Sequence, residues 1–158
     1  MILIAYDGSP DAQAAIQRAG KLISGRPATV LSVWERFQDV MARSGTGMPV
    51  GALDYDALDR SYEEQARERA EEGAELARGC GLEAHARIGV RIGSIADAIL
   101  SAADELDAEA IVLGTRGRGG FKSLLLGSVS HAVAQQADRP VIVIPSPELA
   151  EARASRRR

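Results

Sequence analysis

Gly114-Thr115-Arg116-Gly117-Arg118-Gly119-Gly120-Phe121-Lys122-Ser123-Leu124-Leu125-Leu126-Gly127-Ser128 joins an apolar run to a helical one through glycines and three basic residues. The run before it, Ala110-Ile111-Val112-Leu113, has the composition of a buried strand, and Val129 to Ala137 that of a short helix. A glycine-rich link from strand to helix leaves backbone N–H groups free and lets a ligand approach closely, which is how chains cradle phosphates. Arg116, Arg118 and Lys122 add positive charge with no acid among them. The stretch reads as a phosphate site.

Working outward, the chain alternates strand and helix throughout. Met1 to Tyr6 lacks polar alternation, as a central strand covered on both faces does. Asp7-Gly8-Ser9-Pro10 breaks it: Ser9 suits a helix cap, Pro10 the first turn and Asp11 the positive helix end. Ala12, Ala15, Ile16, Ala19, Leu22 and Ile23 then fall at helical spacing. Ala28 to Trp34 is a second strand, and residues 35–52 read as a long irregular connection over the site or beside it.

From Asp54 to Arg78 the stripe Leu58, Tyr62, Ala66, Ala70, Ala74 and Ala77 is helical and small, which points to close packing on a sheet. The segment's nine acids and four arginines read as a solvated face. Leu82 to Val90 alternates like a strand with one wet face, putting His85 on the polar side. Ser94-x-x-Asp97 opens another helix, and Val141-Ile142-Val143-Ile144 between Pro140 and Pro145 is the last strand. This order, with short turns, predicts one domain built on a parallel sheet with helices on both faces. The expected division is a single folded domain over 1–146 and a basic tail, solvated and frayed, over 147–158.

Composition narrows the function classes. The 158 residues carry a net charge of −3; the last eleven hold four Arg and two Glu, so the body is more acidic than the whole. An acidic body argues against nucleic acid as the main partner. No apolar run approaches the roughly 20 residues that span a bilayer, and Ile2-Leu3-Ile4-Ala5 is too short for a signal-peptide core. A cytoplasmic location is expected, with the single Cys80 a turn residue.

In an open parallel sheet, ligands bind beyond the carboxyl ends of strands where the strand order reverses. Asp7 and the glycine stretch both stand at such ends. Motif tests exclude three chemistries. Phe121 interrupts a P-loop between Gly120 and Lys122; Lys122 occupies the last glycine position of a dinucleotide fingerprint beginning at Gly117; and His131 replaces the final glycine of a serine nucleophile elbow.

What fits is Gly114-x2-Gly117-x9-Gly127-Ser128. With Asp7 and the β/α order, the chain resembles the universal stress protein family, in its ATP-binding branch, over roughly residues 1 to 146. The resemblance implies a three-layer α/β/α fold of the adenine nucleotide alpha hydrolase-like type, with a five-stranded parallel sheet in the order 3-2-1-4-5. It also implies ATP, with Mg²⁺, in the crevice. Gly114 and Gly117 would line the ribose and phosphate path; Gly127, Ser128 and Val129 would hold phosphates. Asp7 would meet the adenosine part or a phosphate-bound metal, and backbone near Val33 the adenine. Arg116 and Arg118 are further phosphate candidates that the motif does not specify. The resemblance further implies a homodimer joined through Val141, Ile142, Val143 and Ile144, an apolar strand at the sheet's edge.

The expected function is a cytoplasmic ATP-binding stress-response or regulatory protein, a nucleotide-dependent switch. Apart from Asp7 no residue offers itself as a water-activating base, so hydrolysis is expected to be slow at most. Two readings stand against it: an enzyme of this architecture transferring phosphoryl or adenylyl groups, and a dimeric interaction protein that uses no nucleotide.

Overall fold

The structure, a computed structural model, describes residues 1–45, 54–117 and 126–155. Five strands form one parallel sheet: β1 (Ile2–Ala5), β2 (Pro27–Trp34), β3 (Glu83–Val90), β4 (Ala110–Gly114) and β5 (Val141–Ile144), in the order β3-β2-β1-β4-β5. The described helices are α1 (Pro10–Leu22), α2 (Phe37–Ser44), α3 (Tyr55–Gly79), α4 (Ile95–Glu105), α5 (Ser128–Gln136) and α6 (Pro147–Ser155). The registers Ile4↔Val30 and Ile4↔Val112 put β1 at the centre of the sheet. The expected fold class and strand order are those observed.

The two faces of the sheet carry separate cores. Ile2, Ile4, Tyr6, Val30 and Val112 pack with Ala15, Ile16 and Ala19 of α1 and Ala74 and Ala77 of α3. Leu3, Leu31, Ile111 and Leu113 pack on the other face with Ile99 and Ala103 of α4 and Val133 of α5. The small stripe on α3 does bring that helix close. A Cβ built at Gly73 would lie 2.7 Å from Tyr6 Cδ1 and 2.8 Å from Val30 Cγ1, so only glycine permits this approach.

The predicted helix starts are observed in detail. The Ser9 hydroxyl accepts from Ala12 N–H at 3.2 Å, with Pro10 opening α1. Ser94 and Asp97 form a reciprocal capping box: Asp97 N–H donates to Ser94 Oγ (3.0 Å), and Ser94 N–H to Asp97 Oδ2 (2.8 Å). Those bonds to Ser94 hold the Asp97 carboxyl below its usual range.

Two expectations are corrected. The connection 35–52, expected to be irregular, contains α2. Phe37 sets it against α3: its N–H donates to Asp59 Oδ1 at 2.7 Å, and its ring lies 6.0 and 6.1 Å from those of Tyr55 and Tyr62. Gly45, in the left-handed region at φ +67°, ends it, and residues 46–53 lie outside the described residues. Pro147–Ser155, expected to be frayed, is helical as α6. It is solvated, as expected, with no buried residue, and Ser146 Oγ accepts from Leu149 N–H at 3.4 Å at its start.

Candidate functional site

Because β2 and β3 lie on one side of β1 and β4 and β5 on the other, the strand order reverses between β1 and β4. At their carboxyl ends opens a cleft of about 590 Å³. It is lined from β1 and its turn by Ala5, Tyr6, Asp7 and, from α1, Ala12; from β2 by Leu31 and Val33; and from β4 onward by Leu113, Gly114, Arg116 and Gly117. Arg69 of α3, Ile95 and Ile99 of α4, and Gly127 to Ser130 complete it.

Of the residues singled out from the sequence, Asp7, Val33, Gly114, Arg116, Gly117, Gly127, Ser128 and Val129 all line this cleft. Arg118 lies outside the described residues.

Asp7 is fixed by its own turn. Its Oδ1 accepts from Ser9 N–H at 3.0 Å, and Gly8 beside it takes φ +79°. The other oxygen faces the glycine segment: a Cβ at Gly117 would lie 2.6 Å from Asp7 Oδ2. Gly114 answers a different demand. A Cβ there would stand 2.6 Å from the Asp11 carbonyl carbon and 2.9 Å from Ala12 N, so Gly114 lets the first turn of α1 rest on the end of β4.

Arg116 is tied into that same turn. Its N–H donates to Asp11 Oδ2 at 3.1 Å, and its Nε lies 3.6 Å from that oxygen. Asp11 is buried, so an opposite charge at this distance is what stabilises it there. The Arg116 guanidinium therefore serves the α1–β4 junction as well as bordering the cleft.

The start of α5 is held from below. Gly127 N–H donates to Thr115 C=O at 2.8 Å, and Ser130 Oγ lies 2.8 Å from the same oxygen. The helix begins at Gly127, which has no side chain to cap with, whereas Ser9, Asp54 and Ser94 cap α1, α3 and α4. Ser128 and Val129 follow at the cleft wall, Ser128 exposed. An uncapped helix start turns partial positive charge and N–H donors outward.

Sequence reasoning missed four lining residues of consequence. Ile95 and Ile99 belong to the helix that Ser94-x-x-Asp97 opens, and they wall the cleft beside Leu31, Val33 and Leu113. Tyr6 was read as strand; its hydroxyl donates to Glu72 Oε1 at 2.7 Å, and burial together with that bond pushes its pKa up to about 12. Arg69 belongs to the charge run read as a solvated face. Its signal was its position between Ala66 and Ala70, the buried residues of α3 nearest it in sequence.

The fold, the switch-point cleft and the glycine spacing define a class, and the chain belongs to the universal stress protein family, whose model matches residues 1–145. A relative from Thermus aquaticus, described as "Universal stress protein in QAH/OAS sulfhydrylase 3'region", is 36% identical over 152 residues, 90% of this chain and 96% of the relative. The universal stress protein from Archaeoglobus fulgidus in complex with dAMP has a similar structure, with a TM-score of 0.58 and 27% identity over 90% of this chain and 95% of that one. A family member from Burkholderia pseudomallei shares the fold at a TM-score of 0.67 and 22% identity, covering 91% of this chain and 94% of its own.

Proposed function

We propose that this chain binds an adenine nucleotide, foremost ATP with Mg²⁺, in the cleft between β1 and β4. It acts as a cytoplasmic stress-response or regulatory protein whose surface changes with occupancy. The observation that carries this reading is the uncapped start of α5, which opens into the cleft beside Gly117 and Asp7. A helix N-terminus favours an anion by about 0.3–1 kcal/mol when exposed and up to ~2 when partly buried. The other half of the cleft suits a base: Leu31, Val33, Ile95, Ile99 and Leu113 make it apolar. The Archaeoglobus fulgidus relative, in complex with dAMP, supports the same ligand class.

The glycines fit the ligand as well. At Gly117 and Gly127 a Cβ would meet atoms at 2.6 and 3.1 Å, so both sites keep backbone where a phosphate chain needs it. Bound Mg²⁺ would neutralise phosphate charge. Among the described residues no three His, Cys, Asp or Glu gather to hold a metal, so the protein's offer to it is Asp7. Asp7 is also the only carboxylate among the described lining residues, and its Oδ1 already accepts from Ser9 N–H. Hydrolysis is therefore slow at most, and occupancy rather than turnover carries the signal.

The decisive measurement is mass spectrometry of nucleotide retained through native purification, followed by calorimetry with added ATP and Mg²⁺. Retained adenine nucleotide or micromolar binding is expected. A chain that retains none and shows no heat with ATP overturns the reading.

A further inference from the structure

We propose that Asp11 is a positioning residue for nucleotide binding: its carboxylate holds the Arg116 guanidinium against α1 and competes with ligand phosphate for it. The inference rests on the nucleotide reading above and assigns to that site a built-in restraint on affinity.

Arg116 stands between two anion positions. On one side is the start of α5: a Cβ at Gly127 would lie 3.4 Å from Arg116 Cα, and Arg116, Gly127 and Ser128 line the same cleft. On the other is Asp11, whose Oδ2 accepts from Arg116 N–H at 3.1 Å and lies 3.6 Å from Arg116 Nε. These two contacts differ in kind. The backbone bond has hydrogen-bond length, whereas 3.6 Å is beyond it, so the guanidinium is held by charge and not by a hydrogen bond. The Arg116 side chain is 19% exposed and that of Asp11 9%, which places the pair at the border of packed interior and cleft. Among the described residues, Asp11 is the one carboxylate within ion-pair distance of that guanidinium.

Asp11 does not depend on the guanidinium alone. It stands in the first turn of α1, after the cap Ser9 and Pro10, where the partial positive charge of the helix favours a carboxylate. The Arg116 N–H belongs to the backbone and stays with Asp11 when the side chain turns. The arginine side chain can therefore exchange partners without stranding a buried carboxylate, the outcome that would make the exchange prohibitive. A phosphate at the start of α5 offers more negative charge than Asp11 does, and oxygens that match the planar guanidinium fork. Arg116 turns to it, and the energy of leaving Asp11 is subtracted from binding.

The test is calorimetry of ATP with Mg²⁺, and of adenosine, against wild type, Asp11→Asn, Arg116→Gln and the double variant. Asparagine keeps the shape of Asp11 and an oxygen for the Arg116 N–H but loses the charge. Asp11→Asn is expected to bind ATP about fivefold more tightly than wild type, the scale of a partly exposed ion pair no longer broken on binding. Adenosine, which has no phosphate, should bind wild type and Asp11→Asn equally. Arg116→Gln is expected to bind ATP about fivefold more weakly, and adding Asp11→Asn to it should change affinity by less than about twofold. A merely structural or long-range role of Asp11 would not depend on Arg116 in this way. The double variant removes both charges together, so its fold carries no unpaired buried carboxylate; circular dichroism checks all three variants. Weaker or unchanged ATP binding by Asp11→Asn, an equal gain for adenosine, or an equal gain with and without Arg116 overturns the inference and leaves nucleotide binding standing. A wild-type protein that binds neither ligand overturns both.

Discussion

The Asp7 carboxylate occupies the space in which a side chain at position 117 would begin: Asp7 Oδ2 lies 2.6 Å from the Cβ site of Gly117. Asp7 cannot simply turn away, because its Oδ1 is held by Ser9 N–H at the start of α1. Gly117 is exposed and its φ lies outside the left-handed region, so its backbone tolerates a side chain and only the cleft is affected. Gly117→Val is therefore expected to reduce nucleotide affinity at least tenfold, about 1.4 kcal/mol, with a melting temperature within about 2 °C of wild type, a change of at most about 1 kcal/mol for a chain of this size. Calorimetry beside a thermal melt separates the two. A large fall in melting temperature would show that Gly117 supports the fold instead.

Two glycines of α3 should respond in opposite directions to the same substitution. At Gly73 a Cβ meets the Tyr6 ring and Val30 below 3.0 Å, in a packed core. Overpacking of this kind costs about 1–3 kcal/mol, and the helix gain of alanine over glycine, about 1 kcal/mol, offsets only part of it. At Gly79 nothing lies within 4 Å, so the helix gain stands alone. Gly73→Ala is expected to destabilise and Gly79→Ala to stabilise by about 0.5–1 kcal/mol. Urea denaturation measures both; a stabilising Gly73→Ala would mean that α3 does not rest on Tyr6.

Tyr6 ties the cleft to alkaline stability. Burial and the bond to Glu72 raise its pKa from 10.0 to about 12. Because the folded value lies above the unfolded one, its contribution to stability is fully present below pH 10.0 and is lost as pH rises through about 12. Titration by tyrosinate absorbance is expected to show a late component from Tyr6, rising through about pH 12 while the fold persists. Tyr6→Phe should delete the late component and cost about 1 kcal/mol at neutral pH, the net value of a typical hydrogen bond. A Tyr6→Phe protein that still shows the late step would assign it elsewhere.

Legibility followed locality. Ser9-Pro10-Asp11 and Ser94-x-x-Asp97 announce α1 and α4 because a cap is made by residues three apart, and both caps form as the spacing requires. The same logic was available at Ser146-Pro147-Glu148, which repeats the Ser-Pro-acid pattern of α1 and opens α6. α2 gives no such signal: Arg36 at its N-cap makes no side-chain bond, and the helix depends on Phe37 meeting Tyr55, Asp59 and Tyr62 from α3. In the cleft, the glycines were readable because their spacing is a pattern. Arg69 was not, because its place depends on which side of α3 faces β1. Gly73 was missed for the same reason: it lies between Ala70 and Ala74 of the predicted stripe, and only the ring of Tyr6 beneath it shows why it is glycine.

The edge of the sheet carries the last prediction. β5 pairs with β4 on one side only, and Val141, Ile142 and Val143 remain half-buried, whereas Ile111, Val112 and Leu113 of the neighbouring strand are buried. An apolar edge strand, with no further strand paired to it among the described residues, invites pairing with another chain. A second copy brings the same strand with the same apolar residues, so a two-fold pairing along β5 buries both edges at once. Light scattering at micromolar concentration is expected to give about twice the 16.7 kDa of one chain. Val141→Lys and Ile142→Lys place a charge on that edge and should shift the protein to monomer, while Gly117→Val, which alters the cleft and not a residue of β5, should remain a dimer. A wild-type monomer at that concentration would falsify the pairing, and a dimer untouched by either lysine would move the interface away from β5.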